Sequence, residues 1–76
     1  MTAHPAPDPG PPPVFTAREQ ELLGHLAQGA TDRAIARHMA LSPHTVDTYL
    51  RRLRHKTGTR NRIQLAIVAH TALHSA

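Results

Sequence analysis

Between residues 44 and 62 the chain concentrates side chains that carry positive charge and donate hydrogen bonds. Six of its nine basic residues, Arg51, Arg52, Arg54, Lys56, Arg60 and Arg62, fall within twelve positions, whereas all five acids (Asp8, Glu19, Glu21, Asp32 and Asp47) precede residue 48. A basic surface facing a polyanion binds by releasing condensed counterions, so the pattern points to nucleic acid; the bland alternative is a solvated basic face. Phe15 and Tyr49 are the only aromatic residues apart from histidine. They are too few for the stacking platforms that single-strand binders use.

Other chemistries find less support. Seven histidines raise metal binding, and His70 and His74 are four apart on one helical face, a spacing compatible with zinc. Neither a cysteine nor a nearby acid completes the ligand shell, so no metal and no cofactor is expected. Glu19 and Glu21 are two apart on a helix and point to different sides, so they cannot act as an acid/base pair. No nucleophile elbow or phosphate-binding loop is present, and an enzyme is excluded on these grounds.

Base-reading or phosphate-binding groups must be held on rigid elements, and the ends of four helices are marked. Thr16 with Glu19 forms a Thr-x-x-Glu capping box that opens the first, with Leu22, Leu23, Leu26 and Ala27 at helical spacing and Gly29 as terminator. Thr31 caps a second from Asp32 to about Ala40, whose inner face is Ile35, Ala36 and Met39. Ser42-Pro43 pairs a good cap with a residue preorganised for the first helical position, which opens a third helix over residues 43–56. Gly58 ends it, and Asn61 with Gln64 caps a fourth over residues 62–73. No alternating segment suggests a strand. The expectation is an all-α four-helix bundle.

Only Leu41 and Ser42 join the second and third helices. A short helix, a tight turn and a basic helix make a helix-turn-helix pattern. With Val46, Tyr49, Leu50 and Leu53 turned inward, the third helix presents His44, Asp47, Thr48, Arg51, Arg52 and His55 on its opposite face. Such side chains can hydrogen-bond base edges, and His44 and His55 are placed either to touch phosphate or simply to face solvent. Arg18 and Arg37 read as solubilising charges, and His25 and His38 as partly exposed helix residues.

The run Phe15-Thr16-x-Arg18-Glu19-x-Glu21-Leu22-Leu23-x-x-Leu26-Ala27-x-Gly29 resembles the opening of the LuxR/FixJ-type (GerE-like) helix-turn-helix. The likeness continues through Thr31-Asp32-x-x-Ile35-Ala36-x-x-Met39, Leu41-Ser42-x-x-Thr45-Val46 and Lys56-Thr57-Gly58-Thr59-Arg60-Asn61-Arg62, covering roughly residues 15 to 70. The resemblance implies a transcriptional regulator whose third helix enters the major groove and whose fourth supports dimerisation. Carried over, base contacts fall on Asp47, Thr48 and Arg51, and phosphate contacts on Thr45, Lys56 and Arg52, with His44 beside them. Many relatives have Lys where this chain has Asp47. An acid there costs affinity near phosphate, but it can accept from a cytosine amino group or pair with Arg51 one turn on. Ala40 stands where Gly is frequent, with a small strain if its φ is positive.

The 76 residues allow one domain. Six of seven prolines lie in the first thirteen residues, so residues 1–14 read as a disordered, proline-rich tail and 15–76 as the DNA-binding domain. No segment reads as a membrane span or signal peptide, and a bacterial cytoplasmic, nucleoid-associated protein is expected. A stand-alone regulator is favoured over an excised domain. The fourth helix carries two apolar stripes. Ile63, Ala66 and Ile67 are expected to close the core against the first helix. Leu65, Val68, Ala69 and Ala72 are expected to form an exposed patch that pairs two copies as a weak homodimer. The expected partners are double-stranded DNA, a second copy and the transcription machinery, with no membrane. The competing reading is a helix-turn-helix-derived protein-interaction or dimerisation module that modulates another regulator.

Overall fold

The computed structural model describes residues 14–74, with the side chain of His74 excluded; the expected proline-rich tail, apart from Val14, lies outside the described residues. Four helices follow in order: α1 Ala17–Ala27, α2 Asp32–Met39, α3 Pro43–Thr57 and α4 Arg62–His74. Among the described residues there is no strand, as the absence of apolar alternation implied. α1 packs on α4 and α2, and α3 packs on α2 and α4.

The helix ends are built by local hydrogen bonds. The Thr16 hydroxyl accepts from the Glu19 amide (3.1 Å) while the Glu19 carboxylate accepts from the Thr16 amide (2.8 Å), which closes the capping box. Thr31 and Ser42 each accept from the amide three residues on, at 3.1 Å, and Pro43 occupies the first turn of α3. Each such cap contributes about 1 kcal/mol to a helix whose first amides otherwise lack partners. Asn61 Oδ1 accepts from the Gln64 amide (2.9 Å), whereas Gln64 Oε1 returns to the Arg60 amide (2.8 Å) rather than to that of Asn61. Gly58 leaves α3 at φ 71°, and Gly29 follows α1 at φ 85°. Ala40 ends α2 at φ 54°, the left-handed region, so a side chain sits where glycine would relax the backbone.

The core joins Leu22, Leu23 and Leu26 of α1, Ile35, Ala36 and Met39 of α2, Val46, Leu50 and Leu53 of α3, and Leu65 and Ala69 of α4. The inward faces expected for α1, α2 and α3 are those observed, with Ala27 and Tyr49 half-buried at the rim of the core.

On α4 the expectation fails at four positions and holds at two: Ala66 packs against the core and Ala72 is exposed as expected, but Leu65, Ala69, Ile63 and Ile67 are reversed. Leu65 and Ala69, expected in the exposed patch, are fully buried, while Ile63 and Ile67, expected in the core, are 73 % and 60 % exposed. Val68 and Ala66 are half-buried and Ala72 is exposed. A polar contact at the first residue of the helix accompanies this rotation. Arg62 donates to the carbonyl of Ala30 and pairs with Asp32. Residues 62, 65, 66 and 69 stand at i, i+3, i+4 and i+7 and share one face, so Arg62 against the α1–α2 connection and Leu65 and Ala69 in the core belong to one and the same rotation of the helix. Leu65 and Ala69 are therefore core residues and not interface residues.

Candidate nucleic-acid interface

The two-helix unit is held rigidly at its turn. Leu41 is half-buried against the core, and its amide donates to the Ala36 carbonyl (2.9 Å). Arg18 reaches across from α1 to the carbonyl of Met39 (3.0 Å), satisfying an end carbonyl of α2 beside the strained Ala40. Arg18 thus has a structural task beyond solubility. It also pairs with Glu21 on its own helix at 3.3 Å. Nothing in local spacing announces a bond spanning 21 positions.

Burial of Val46, Leu50 and Leu53 leaves His44, Asp47, Arg51, Arg52 and His55 exposed along the other side of α3, with Thr45 and Thr48 half-buried. Arg51 Nη2 donates to Asp47 Oδ2 at 3.0 Å, so of the two roles open to Asp47 the pairing with Arg51 is present before any ligand arrives. Thr48 donates its hydroxyl to the His44 carbonyl (3.1 Å), which leaves an oxygen lone pair and a methyl group for any contact with a base. The Thr45 hydroxyl lies 2.9 Å from that of Ser42 at the N-terminus of α3, where unpaired amides favour an anion. Arg52 and His55 border a shallow hollow with Arg51, Lys56 and Glu19.

Lys56 is more constrained than a simple phosphate contact would be. Its ammonium donates to Glu19 Oε1 (2.8 Å) and to the Val14 carbonyl (2.9 Å), and it stands 5.6 Å from the centre of the Phe15 ring. Two of its three hydrogens are committed within the fold, and one remains for an outside acceptor. Lys56 also explains the burial of Glu19. Its hydrogen bond, followed by that of the Thr16 amide, holds the Glu19 carboxyl below its ordinary range against the opposing effect of desolvation.

His25 and His38 stack between α1 and α2, with ring centroids 5.1 Å apart and planes 10° from parallel. Among the described residues, no three histidine, cysteine or acidic side chains gather closely enough to hold a metal ion, and the His74 half of the His70–His74 pair lies outside them. No helix among them is long and apolar enough to cross a membrane.

The arrangement is a polar, mostly cationic helix face held by a rigid turn, and comparison with known proteins finds the same framework. The profile of "Bacterial regulatory proteins, luxR family" (GerE) matches residues 13–69. The monoamine regulon transcriptional regulator of Klebsiella aerogenes is 41 % identical over 54 residues, which is 71 % of this chain and 24 % of the relative. The DNA-binding transcriptional activator DevR/DosR of Mycobacterium tuberculosis is 43 % identical over 55 residues, 72 % of this chain and 25 % of the relative. The probable transcriptional regulatory protein NarL of the same organism is 42 % identical over 50 residues, 66 % and 23 % of the two chains. The chain spans about a quarter of the length of these relatives. These relatives are all regulators by name. With a family match that runs from the start of α1 through most of α4, and with helix caps and core as described, this chain belongs to the luxR family of bacterial regulatory proteins.

Proposed function

We propose that this chain is a sequence-specific regulator of transcription that reads the major groove of duplex DNA with α3 and acts at the nucleoid in the bacterial cytoplasm. Asp47, Thr48 and Arg51 face base edges, and His44, Thr45, Arg52 and the remaining hydrogen of Lys56 face phosphates. The observation that carries this reading is the exposed row His44, Asp47, Arg51, Arg52 and His55 on a helix whose opposite side is locked into the core. A helix of this kind fits the major groove, with phosphate contacts setting register and base edges setting sequence.

A second copy completes the functional unit. Ile63 and Ile67 form an exposed apolar face on α4 beside a hollow lined by Leu26, Gly29, Ala66 and His70. A two-fold pairing of that face covers both isoleucines and places two α3 helices on half-sites about one turn of DNA apart. The patch is small and without aromatic anchors, so the dimer is weak in solution and gains from adjacent DNA sites. The transcription machinery is the further partner of the bound regulator.

The test is a salt titration of the chain against labelled duplex, with a selected site and random sequence in parallel. Each phosphate neutralised contributes about −0.9 to the slope of log K against log salt. The two cationic phosphate contacts of a protomer, Arg52 and Lys56, give about −2, and the neutral contacts of His44 and Thr45 add nothing to the slope. The exposed isoleucines favour one alternative, a protein-interaction module modulating another regulator. That alternative takes over if duplex affinity is the same for the chain and for its Arg51→Ala/Arg52→Ala variant.

A further inference from the structure

The proposed base-reading positions include a pair that is already joined. Asp47 Oδ2 accepts from Arg51 Nη2 at 3.0 Å, and both side chains are largely solvent-exposed, at 56 % and 70 %. Among the described residues nothing else bonds either side chain. Nη2 therefore keeps a second hydrogen, Nη1 keeps two, and Asp47 Oδ1 keeps its lone pairs. An exposed ion pair of this kind adds little to stability. Its effect is geometric: it holds the guanidinium beside a carboxylate, so that free donors of Arg51 and a free acceptor of Asp47 lie next to one another.

We propose that the Asp47–Arg51 pair is a single reading unit for one G·C base pair in a fixed orientation; this deepens the DNA-reading function proposed above and rests on it. In the major groove a G·C pair shows N7 and O6 as acceptors, then the cytosine N4 amino group as donor. Two Arg51 donors and the Asp47 acceptor match all three. An A·T pair shows acceptor, donor, acceptor, so it opposes donor to donor at N6 and acceptor to acceptor at O4. T·A also fails at two of three places. C·G presents the matching groups in reverse order, which the direction of α3 rejects, because Asp47 precedes Arg51 by four residues, about 6 Å of rise. Asp47 thus discriminates by repulsion as well as attraction, and it lowers affinity for the phosphate backbone that every sequence shares.

The experiment is selection of sites from a random duplex library by the full chain and by its Asp47→Asn and Arg51→Ala variants. Competition binding of each protein to the selected sites follows, with circular dichroism to confirm an unchanged fold. The parent should select one invariant G·C pair per half-site and prefer it to A·T by about tenfold or more. Arg51→Ala should lose the preference at that pair alone. Asp47→Asn should still bind but prefer G·C to A·T several-fold less, because an amide can turn a donor toward thymine O4. Selected sites lacking an invariant G·C pair, or an unchanged preference in Asp47→Asn, overturn the reading unit while leaving DNA recognition by α3 in place. No enrichment of any duplex by the parent overturns both.

Discussion

Replacing Lys56 by Met should destabilise the domain by about 2 kcal/mol, for a reason located on α1. Lys56 is the charge partner of Glu19, whose side chain is buried to 8 % exposure while that of Lys56 keeps 34 %. Removing one partner from a fully buried pair costs about 3–5 kcal/mol, and exposed pairs are worth at most about 1, so this half-covered pair falls between. A domain of this size has roughly 3–9 kcal/mol in total, so the loss is a large fraction of it. With a urea m-value near 1 kcal/mol/M, the unfolding midpoint should fall by about 2 M.

The partner variant makes the cause testable. Glu19→Gln keeps an oxygen for the Thr16 amide and removes the charge. It should cost about 1 kcal/mol in the parent, but nothing or less in Lys56→Met, where it removes an unpaired buried carboxylate. Acid provides the second check. The folded carboxyl titrates below its ordinary value of 4.5, so the folded protein binds fewer protons than the unfolded chain there. The stabilisation is complete above about pH 4.5 and disappears as pH falls through the lower, folded value. Between pH 5 and 3 the parent should lose more stability than Lys56→Met. Equal costs of Glu19→Gln in both backgrounds, together with parallel acid profiles, would refute an energetic role for the pair.

Other positions give sharper contrasts. Ala40→Gly should raise stability by about 0.5–1 kcal/mol in the same urea assay, because left-handed backbone costs an L-residue about 1–2 kcal/mol and glycine returns part of that as chain entropy. Ile67→Asp should keep the helical circular dichroism signal and lose cooperative binding to a palindromic site, whereas Leu65→Asp should unfold the domain. The opposite pattern would restore the orientation of α4 expected from its apolar stripes. Asp47→Lys should tighten binding to random duplex and steepen the salt slope by about one unit, since it replaces an acid on the DNA face by a base. A variant that binds no duplex at all would show that the carboxylate is indispensable for holding Arg51.

What could be read from the chain, and what could not, divides by sequence distance. Thr16 with Glu19, Ser42 with Pro43, and Gly58 act on backbone groups within a few positions, so four helices and the faces of the first three followed from order alone. The Asp47–Arg51 pair was legible as one of two options because it joins residues one helical turn apart. The partners that set tertiary geometry are remote: Lys56 meets Glu19 across 37 positions, Arg62 meets Asp32 across 30, and Arg18 meets Met39 across 21. Periodicity carries no trace of them.

The fourth helix shows why that distinction matters for function. Its apolar residues occupy more than one side, so hydrophobic pattern alone leaves its rotation about its axis undetermined. The contacts of Arg62 with Ala30 and Asp32 come from outside that pattern and agree with the rotation that buries Leu65 and exposes Ile63 and Ile67. Residues 63 and 65 differ by about 200° around the helix, so the choice decides which of the two faces solvent. The proposed dimer contact therefore depends on a rotation that a polar anchor at the helix start supports, and not on the isoleucines alone. Weakening that anchor should loosen the presentation of Ile63 and Ile67 while α3 keeps its own exposed row.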